Sequence, residues 1–296
     1  MNVLCFDVGG TSVKYALLNE KAEISDRGDY PAPTACMEDF LNGVKSVYEK
    51  YKGKIEGVSF SMPGVIEPDT GYFISGGAYN EFIHGVNMKD IFKQFIDEDV
   101  VITNDAKCAA YGELGYGSLK KVNDAAIIVL GTGIGGCLIK DRKPLYGKHY
   151  LSGEFSFINT TSENSNAGIF AFKCGVGGLL NRVKEELKDG KEYTGKEIFA
   201  MANEGNEKVL EALDKFCFDL AVQIMNIQVI FDPEVFAIGG GISAQKILFE
   251  ILDKQFDKIK EASGRLFLRK PDVVACEFRN DANLIGALYR FISERQ

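Results

Sequence analysis

Three stretches of this sequence join glycines to residues that can handle a phosphate. They are Asp7-Val8-Gly9-Gly10-Thr11-Ser12-Val13-Lys14, Gly131-Thr132-Gly133-Ile134-Gly135-Gly136 and Gly239-Gly240-Gly241. Glycines let a phosphate approach the backbone closely, and turn N–H groups can cradle its oxygens. Asp7, at the end of an apolar run, could hold a cation or a water beside that phosphate. Mg²⁺, a hard cation, suits such an oxygen ligand. Each cluster also has a purely structural reading as a tight turn. Asp105 is the candidate general base: it follows a buried strand and opens a helix, a place that faces a ligand crevice in α/β sheets. A carboxylate there can take a proton from a substrate hydroxyl during phosphoryl transfer. Its bland role is capping the helix, as any Asn-Asp pair can.

Other chemistries find little support. The run Gly131 to Gly136 formally matches a dinucleotide fingerprint, but Cys137-Leu138-Ile139-Lys140 after it reads as a strand where that motif needs a helix. No GxxxxGK[ST] or GxSxG run occurs, and His84 and His149 are the only histidines. Cys174 has no neighbouring ligands at zinc-site spacing.

Local patterns supply the elements that hold these residues. Val3–Phe6 and Val13–Leu18 read as strands of a glycine hairpin, with Ile24 to Tyr30 returning as a third strand. Residues 37–51 carry apolar groups at helical spacing. Strands follow at Ile55–Met62 and Val100–Thr103, with a short helix over Met88–Ile96 and another over Ala106–Leu114. The order then restarts: strand Ala125–Leu130, the glycine turn of residues 131–136, and strand Cys137–Lys140. Helices over 176–187, 195–202 and 207–230 precede strand Val235–Ile238, helix 244–259, strand Val273–Phe278 and a closing helix over 281–292. Alternation of this kind implies α/β layers, and the weak internal repeat implies two similar lobes with a ligand cleft between them.

The totals narrow the class. A chain of 296 residues suits two domains. A net charge of −8 argues against a nucleic-acid or anionic-membrane surface. Seven scattered cysteines without a CxxC pair read as reduced thiols. No signal peptide is recognisable before Asp7, and no apolar run reaches membrane-spanning length. The expected compartment is the cytoplasm.

Taken in order, Asp7-x-Gly-Gly-Thr-x-x-Lys14, Pro63-Gly64, Asn104-Asp105-Ala106, Gly131 to Gly136, Gly153-Glu154 and Ile238 to Gly241 resemble the ROK family of sugar kinases and repressors, across essentially the whole chain. The resemblance implies a two-lobed actin-like (ribonuclease-H-like) α/β fold with ATP and sugar between the lobes. Residues 1–117, joined by the closing helix 281–296, would form the sugar side, and 118–280 the nucleotide side. It places Asp7 near Mg²⁺, reached through water, and Gly9, Gly10, Thr11 and Lys14 in the first phosphate loop. Thr132 and Gly133 fall in the second, and Gly240 and Gly241 along the adenosine. Asn104 and Glu154 match sugar-hydroxyl ligands, Gly64 lies on the substrate side, and Asp105 matches the base for the sugar 6-hydroxyl. A homodimer is the family's expectation.

Departures from the pattern bear on the sugar. Phe157 stands where many members carry a histidine, and Phe172 to Gly177 keeps one cysteine of the zinc motif, so zinc is not expected. Ala78 stands where many carry a sugar-contacting Asn. The match is closest to zinc-less β-glucoside kinases, in Gly76-Gly77-Ala78, Gly153-Glu154-Phe155 and Thr194 to Phe199. An apolar group on the anomeric side would suit a β-glucoside such as cellobiose. N-acetylmannosamine kinases and glucose or fructose kinases are the alternatives. A sugar-sensing repressor would need a DNA-binding module ahead of Asp7, where six residues stand.

Overall fold

The computed structural model describes residues 1–161, 168–264 and 269–295. The elements in order are β1 (Asn2–Val8), β2 (Ser12–Asn19), β3 (Ile24–Pro31), α1 (Met37–Tyr51), β4 (Gly57–Met62), β5 (Val65–Glu67), β6 (Tyr72–Ser75), α2 (Asn80–Ile83), α3 (Met88–Phe92), β7 (Asp99–Asn104) and α4 (Asp105–Gly115). There follow β8 (Ala125–Leu130), β9 (Ile134–Lys140), β10 (Lys143–Pro144), α5 (Phe170–Cys174), α6 (Val176–Leu187), α7 (Gly195–Asn203), α8 (Glu207–Phe231), β11 (Val235–Gly239), α9 (Lys246–Ser263), β12 (Val273–Ala275) and α10 (Ala282–Ser293). Two compact units result. One holds Met1–Lys121, Pro144–Ser152 and Asn280–Gln296; the other holds Val122–Lys143 and Gly153–Arg279.

The first unit is built on a sheet of order β3-β2-β1-β4-β7, with an antiparallel β1–β2–β3 meander and parallel β1, β4 and β7. This is a ribonuclease-H-like order, as the family resemblance implied. Side chains alternate between its faces. Leu4, Phe6, Val58, Phe60, Val100 and Ile102 join Phe40, Val44, Val47 and Tyr48 of α1 in one apolar core. The buried positions of α1 recur at three- and four-residue steps, which is why those residues form an amphipathic helix. On the opposite face, Asp7, Ser61 and Thr103 stand in register on β1, β4 and β7. That face is covered by α10, where the Ala287 carbonyl accepts from Ser59 Oγ at 2.8 Å. Helices α4 and α10 then meet backbone to backbone: a Cβ on Gly286 would lie 1.7 Å from the Cys108 carbonyl oxygen.

The second unit repeats the theme, with a sheet of order β10-β9-β8-β11-β12. Leu213, Phe216, Leu220 and Ile224 of α8 pack with Phe236 and Ile238 of β11 in a second core. Helix α7 starts on a capping box: Thr194 Oγ1 accepts from the Glu197 N–H, and a Glu197 carboxylate oxygen accepts from the Thr194 N–H at 2.7 Å. Thr194→Ala is therefore expected to lower stability by about 1 kcal/mol, read as a shift of the urea midpoint without a change in slope.

Two local readings change. The second glycine turn is confined to Gly131–Gly133, because β9 already begins at Ile134 and pairs it with Leu130. A Cβ on Gly136 would lie 2.3 Å from the Gly153 carbonyl oxygen, so this glycine gives room for a crossing chain rather than for a bend. The helix expected over 88–96 is regular only to Phe92. Beyond it, the N–H groups of Gln94 and Phe95 donate to Ile91 and Phe92, the tighter i to i−3 pattern. All seven cysteines are free thiols, six of them buried. Among the described residues no helix is long and apolar enough to cross a membrane.

Candidate active site

Asp105 is the first residue of α4, and its position is fixed by Asn104 before it. Asn104 caps the helix, its Oδ1 accepting from the Lys107 N–H at 3.1 Å. Its Nδ2 donates to the Gly64 carbonyl at 2.9 Å and to Asp105 Oδ1 at 3.0 Å. Asp105 Oδ1 also accepts from the Ala106 N–H at 2.8 Å. The carboxylate thus sits at a helix N-terminus, oriented by two donors, at the C-terminal edge of the parallel strands. Asn104 is buried, and its side chain ties the base to the Pro63-Gly64 turn. Gly64 is needed there: its φ is +113°, and a Cβ would lie 2.1 Å from the Ser75 carbonyl oxygen.

The first glycine hairpin lies on the same edge. The Gly9 N–H donates to the Ser12 carbonyl at 3.0 Å, closing the turn, and Gly10 and Thr11 are exposed. Asp7 stands at its base with a side chain only 14% exposed. Asn283 Nδ2 of α10 donates to Asp7 Oδ1 at 2.9 Å, and Lys14 Nζ lies 3.8 Å from Asp7 Oδ2. Burial pushes the Asp7 carboxyl above its ordinary pKa; the Asn283 hydrogen bond and the Lys14 charge oppose that rise, and Asp281 adds to it. A largely buried carboxylate with one oxygen held by an amide offers the hard oxygen chemistry that a water-bridged Mg²⁺ takes.

In the second unit, Thr132 is exposed at the tip of the β8–β9 hairpin. The hairpin rests on the start of α6, where the Val176 N–H donates to the Gly131 carbonyl at 2.8 Å. Gly133 follows Thr132, and a Cβ on it would touch only Ala171. Gly240 presses on the same hairpin: at φ +93°, its Cβ would lie 2.2 Å from the Leu130 carbonyl oxygen, whereas Gly241 faces open space. Glu154 follows Gly153, which is packed on Cys137 of β9, and precedes the buried Phe155. Phe157 is 71% exposed. Among the described residues no group of three or more His, Cys, Asp or Glu side chains converges as a metal-ligand set.

The structure therefore gathers Asp7, Gly9, Gly10, Thr11, Lys14, Gly64, Asn104 and Asp105 on one edge of the first unit's sheet. Within the second unit it gathers Thr132, Gly133, Gly240 and Gly241 around one hairpin. Sequence reasoning missed three residues. Asn283 holds Asp7 from 276 positions away. Tyr79 donates its hydroxyl to the Gly9 carbonyl at 2.7 Å; its phenol pKa is pushed up to about 12 by burial, with the Asp7 charge adding, so it stays a donor. Lys107, only 2% exposed, reaches the Ser152 carbonyl at 3.3 Å and lies over the Tyr146 ring. No local pattern marks these three; only the Asn-Asp cap hinted that the helix start was special.

Comparison with known proteins adds independent findings. A family model described as "ROK family" matches residues 3–294. An N-acetyl-D-glucosamine kinase of Vibrio atlanticus is 29% identical over 300 residues, which cover 96% of this chain and 97% of that one. A beta-glucoside kinase of Listeria innocua is 27% identical over 300 residues, covering 99% and 98%. Among solved structures, a ROK family protein of Streptococcus pneumoniae in complex with sucrose superposes with a TM-score of 0.89 at 28% identity, covering 100% of this chain and 99% of that one.

Proposed function

The chain belongs to the ROK family, and from that premise we propose that it is an ATP-dependent kinase acting on the 6-hydroxyl of a hexose or β-glucoside. The observation that carries the reading is the sheet edge at which Asp105, directly after β7 and tied through Asn104 to Gly64, stands with Asp7 and the Gly9-Gly10 hairpin. Asp105 takes the proton of the sugar hydroxyl as its oxygen attacks the γ-phosphorus of ATP and ADP leaves. Oriented by the amide of Asn104 and the N–H of Ala106, it presents its carboxylate without reorganising. Within the first unit Gly9, Gly10, Thr11 and Lys14 are the residues for phosphate oxygens; within the second unit Thr132 and Gly133 are the phosphate residues and Gly240 and Gly241 those for the adenosine. In the first unit Asn104 serves the sugar hydroxyls, with Gly64 shaping the substrate side; Glu154, in the second unit, is the other residue proposed for sugar hydroxyls. Mg²⁺, when bound, neutralises phosphate charge; Asp7 would hold it through water.

For the sugar, a β-glucoside such as cellobiose is the reading favoured by Ala78, by the exposed Phe157 beyond Glu154, and by the likeness to beta-glucoside kinases. The likeness to N-acetyl-D-glucosamine kinases supports an N-acetylhexosamine as the second reading. A coupled ADP-release assay over cellobiose, glucose, N-acetylglucosamine, N-acetylmannosamine and fructose separates them. The expected result is a kcat/KM for cellobiose about tenfold above that for glucose, the scale of about 1.4 kcal/mol of added ring contact. A preference for a free hexose or an N-acetylhexosamine removes the glucoside reading and keeps the kinase; no sugar-dependent ADP release with any of them removes the kinase.

A further inference from the structure

The segment Gly76–Asn80 is built into the first unit more firmly than a connecting loop needs. The Asn80 side-chain oxygen accepts from the Gly76 N–H at 2.9 Å, and the Tyr79 N–H donates to the Gly76 carbonyl at 3.0 Å. On one side the segment touches the turn that Asn104 holds: a Cβ on Gly77 would lie 2.9 Å from Pro63 Cβ, and one on Gly64 would lie 3.0 Å from Gly76 Cα. On the other it meets the hairpin: a Cβ on Gly10 would lie 3.4 Å from Ala78 Cβ, and Tyr79 Oη donates to the Gly9 carbonyl. The Tyr79 ring is fully buried and held by Phe40 and Phe82, with centroids at 5.3 and 5.8 Å. Its hydroxyl therefore reaches Gly9 from a fixed support.

That bond has a geometric consequence for the hairpin. A peptide unit is planar and trans, so the N–H of Gly10 points opposite to the C=O of Gly9. Two adjacent glycines could otherwise rotate this unit at little steric cost. With the carbonyl held toward Tyr79, the Gly10 N–H is turned away from the core at an exposed position. It is presented there as a donor for an anion.

We propose that Tyr79 is a positioning residue that latches the Gly9–Gly10 peptide and makes phosphate binding at the hairpin answer to sugar bound against Gly76–Ala78. The proposal rests on the kinase reading and extends it: Asp105, Asn104, Gly64, the 76–80 segment and Gly9 form one connected path, so the two substrates are felt by each other within a single unit. Ala78 is the point where that path meets both Gly10 and the sugar side.

The test is Tyr79→Phe, which removes one oxygen and keeps the ring packing, beside Asn80→Ala, which loosens the segment and leaves the hairpin untouched. Calorimetric titration with ADP and Mg²⁺, with and without saturating sugar, reads the latch directly, and steady-state assays read kcat and both KM values. For Tyr79→Phe the expected result is a nucleotide KM and Kd raised about tenfold, a melting temperature lowered by a few degrees at most, and loss of the factor by which sugar tightens nucleotide binding. For Asn80→Ala the sugar KM rises and the same factor falls. Unchanged nucleotide affinity and coupling in Tyr79→Phe overturn the proposal. So does a weakened enzyme that melts earlier yet keeps the coupling factor. A parent protein that transfers no phosphoryl group removes the kinase reading instead, and the ADP titration still decides the latch.

Discussion

Replacing Asp105 with asparagine lowers kcat by about a hundredfold to ten-thousandfold and leaves the ATP KM and the melting temperature close to those of the parent. The substitution is isosteric. An asparagine oxygen can still accept from the Ala106 N–H and from Asn104 Nδ2, so the start of α4 keeps both bonds that orient residue 105. What the variant loses is the negative charge and with it the ability to take a proton. Asn104→Ala is the contrasting case: it removes the cap, the tie to Gly64 and one donor to Asp105 at once, so stability falls by about 1 kcal/mol together with rate. A sugar-phosphorylation rate for Asp105→Asn within threefold of the parent would assign the proton to another group.

Much of this arrangement was legible because its signals are local. Val3–Phe6 and Ala125–Leu130 are continuous apolar runs buried on both faces, and each leads into glycines, so strand and turn follow from neighbouring residues. Asn104 and Asp105 announced a helix start by residue type alone, and the structure gives Asn104 that cap. Less legible was whatever depends on packing at long range. Gly136 looks like a turn glycine, yet it lies inside β9 because Gly153 and Phe155 cross it. Asn283 is an ordinary polar residue of an amphipathic helix until α10 folds onto β1 and delivers its amide to Asp7. Tyr79 reads as one more core aromatic; its function as a donor rests on a single oxygen whose partner is 70 positions away. Periodicity reports which face of an element is buried, and says nothing of which polar atom on that face finds a partner.

The third glycine cluster gives the other large effect, because two adjacent positions make opposite demands. Gly240 has φ +93°, and a Cβ there would lie 2.2 Å from the Leu130 carbonyl oxygen, with the Leu130 carbonyl carbon at 2.7 Å. Both atoms belong to the central strand of the sheet and cannot give way as a flexible side chain would. Gly240→Ala therefore combines backbone strain with overpacking against β8, for a loss of about 2–5 kcal/mol. It also displaces the Gly240 carbonyl that accepts from Ser243 Oγ at 2.8 Å. The protein is expected to unfold at much lower urea and to lose ATP turnover with it. Gly241 carries no positive φ, and nothing lies within 4 Å of where a Cβ would stand, so Gly241→Ala keeps the stability in urea within about 0.5 kcal/mol of the parent's. Its methyl enters the space where the adenosine is proposed to lie, and the ATP KM rises about tenfold while the sugar KM stays. If Gly241→Ala left the ATP KM unchanged, the nucleotide would have to lie elsewhere on the second unit. Urea stability in Gly240→Ala equal to the parent's would mean that β8 and the Gly239–Gly241 turn can separate, so the two variants test the nucleotide's place and the rigidity of its support independently.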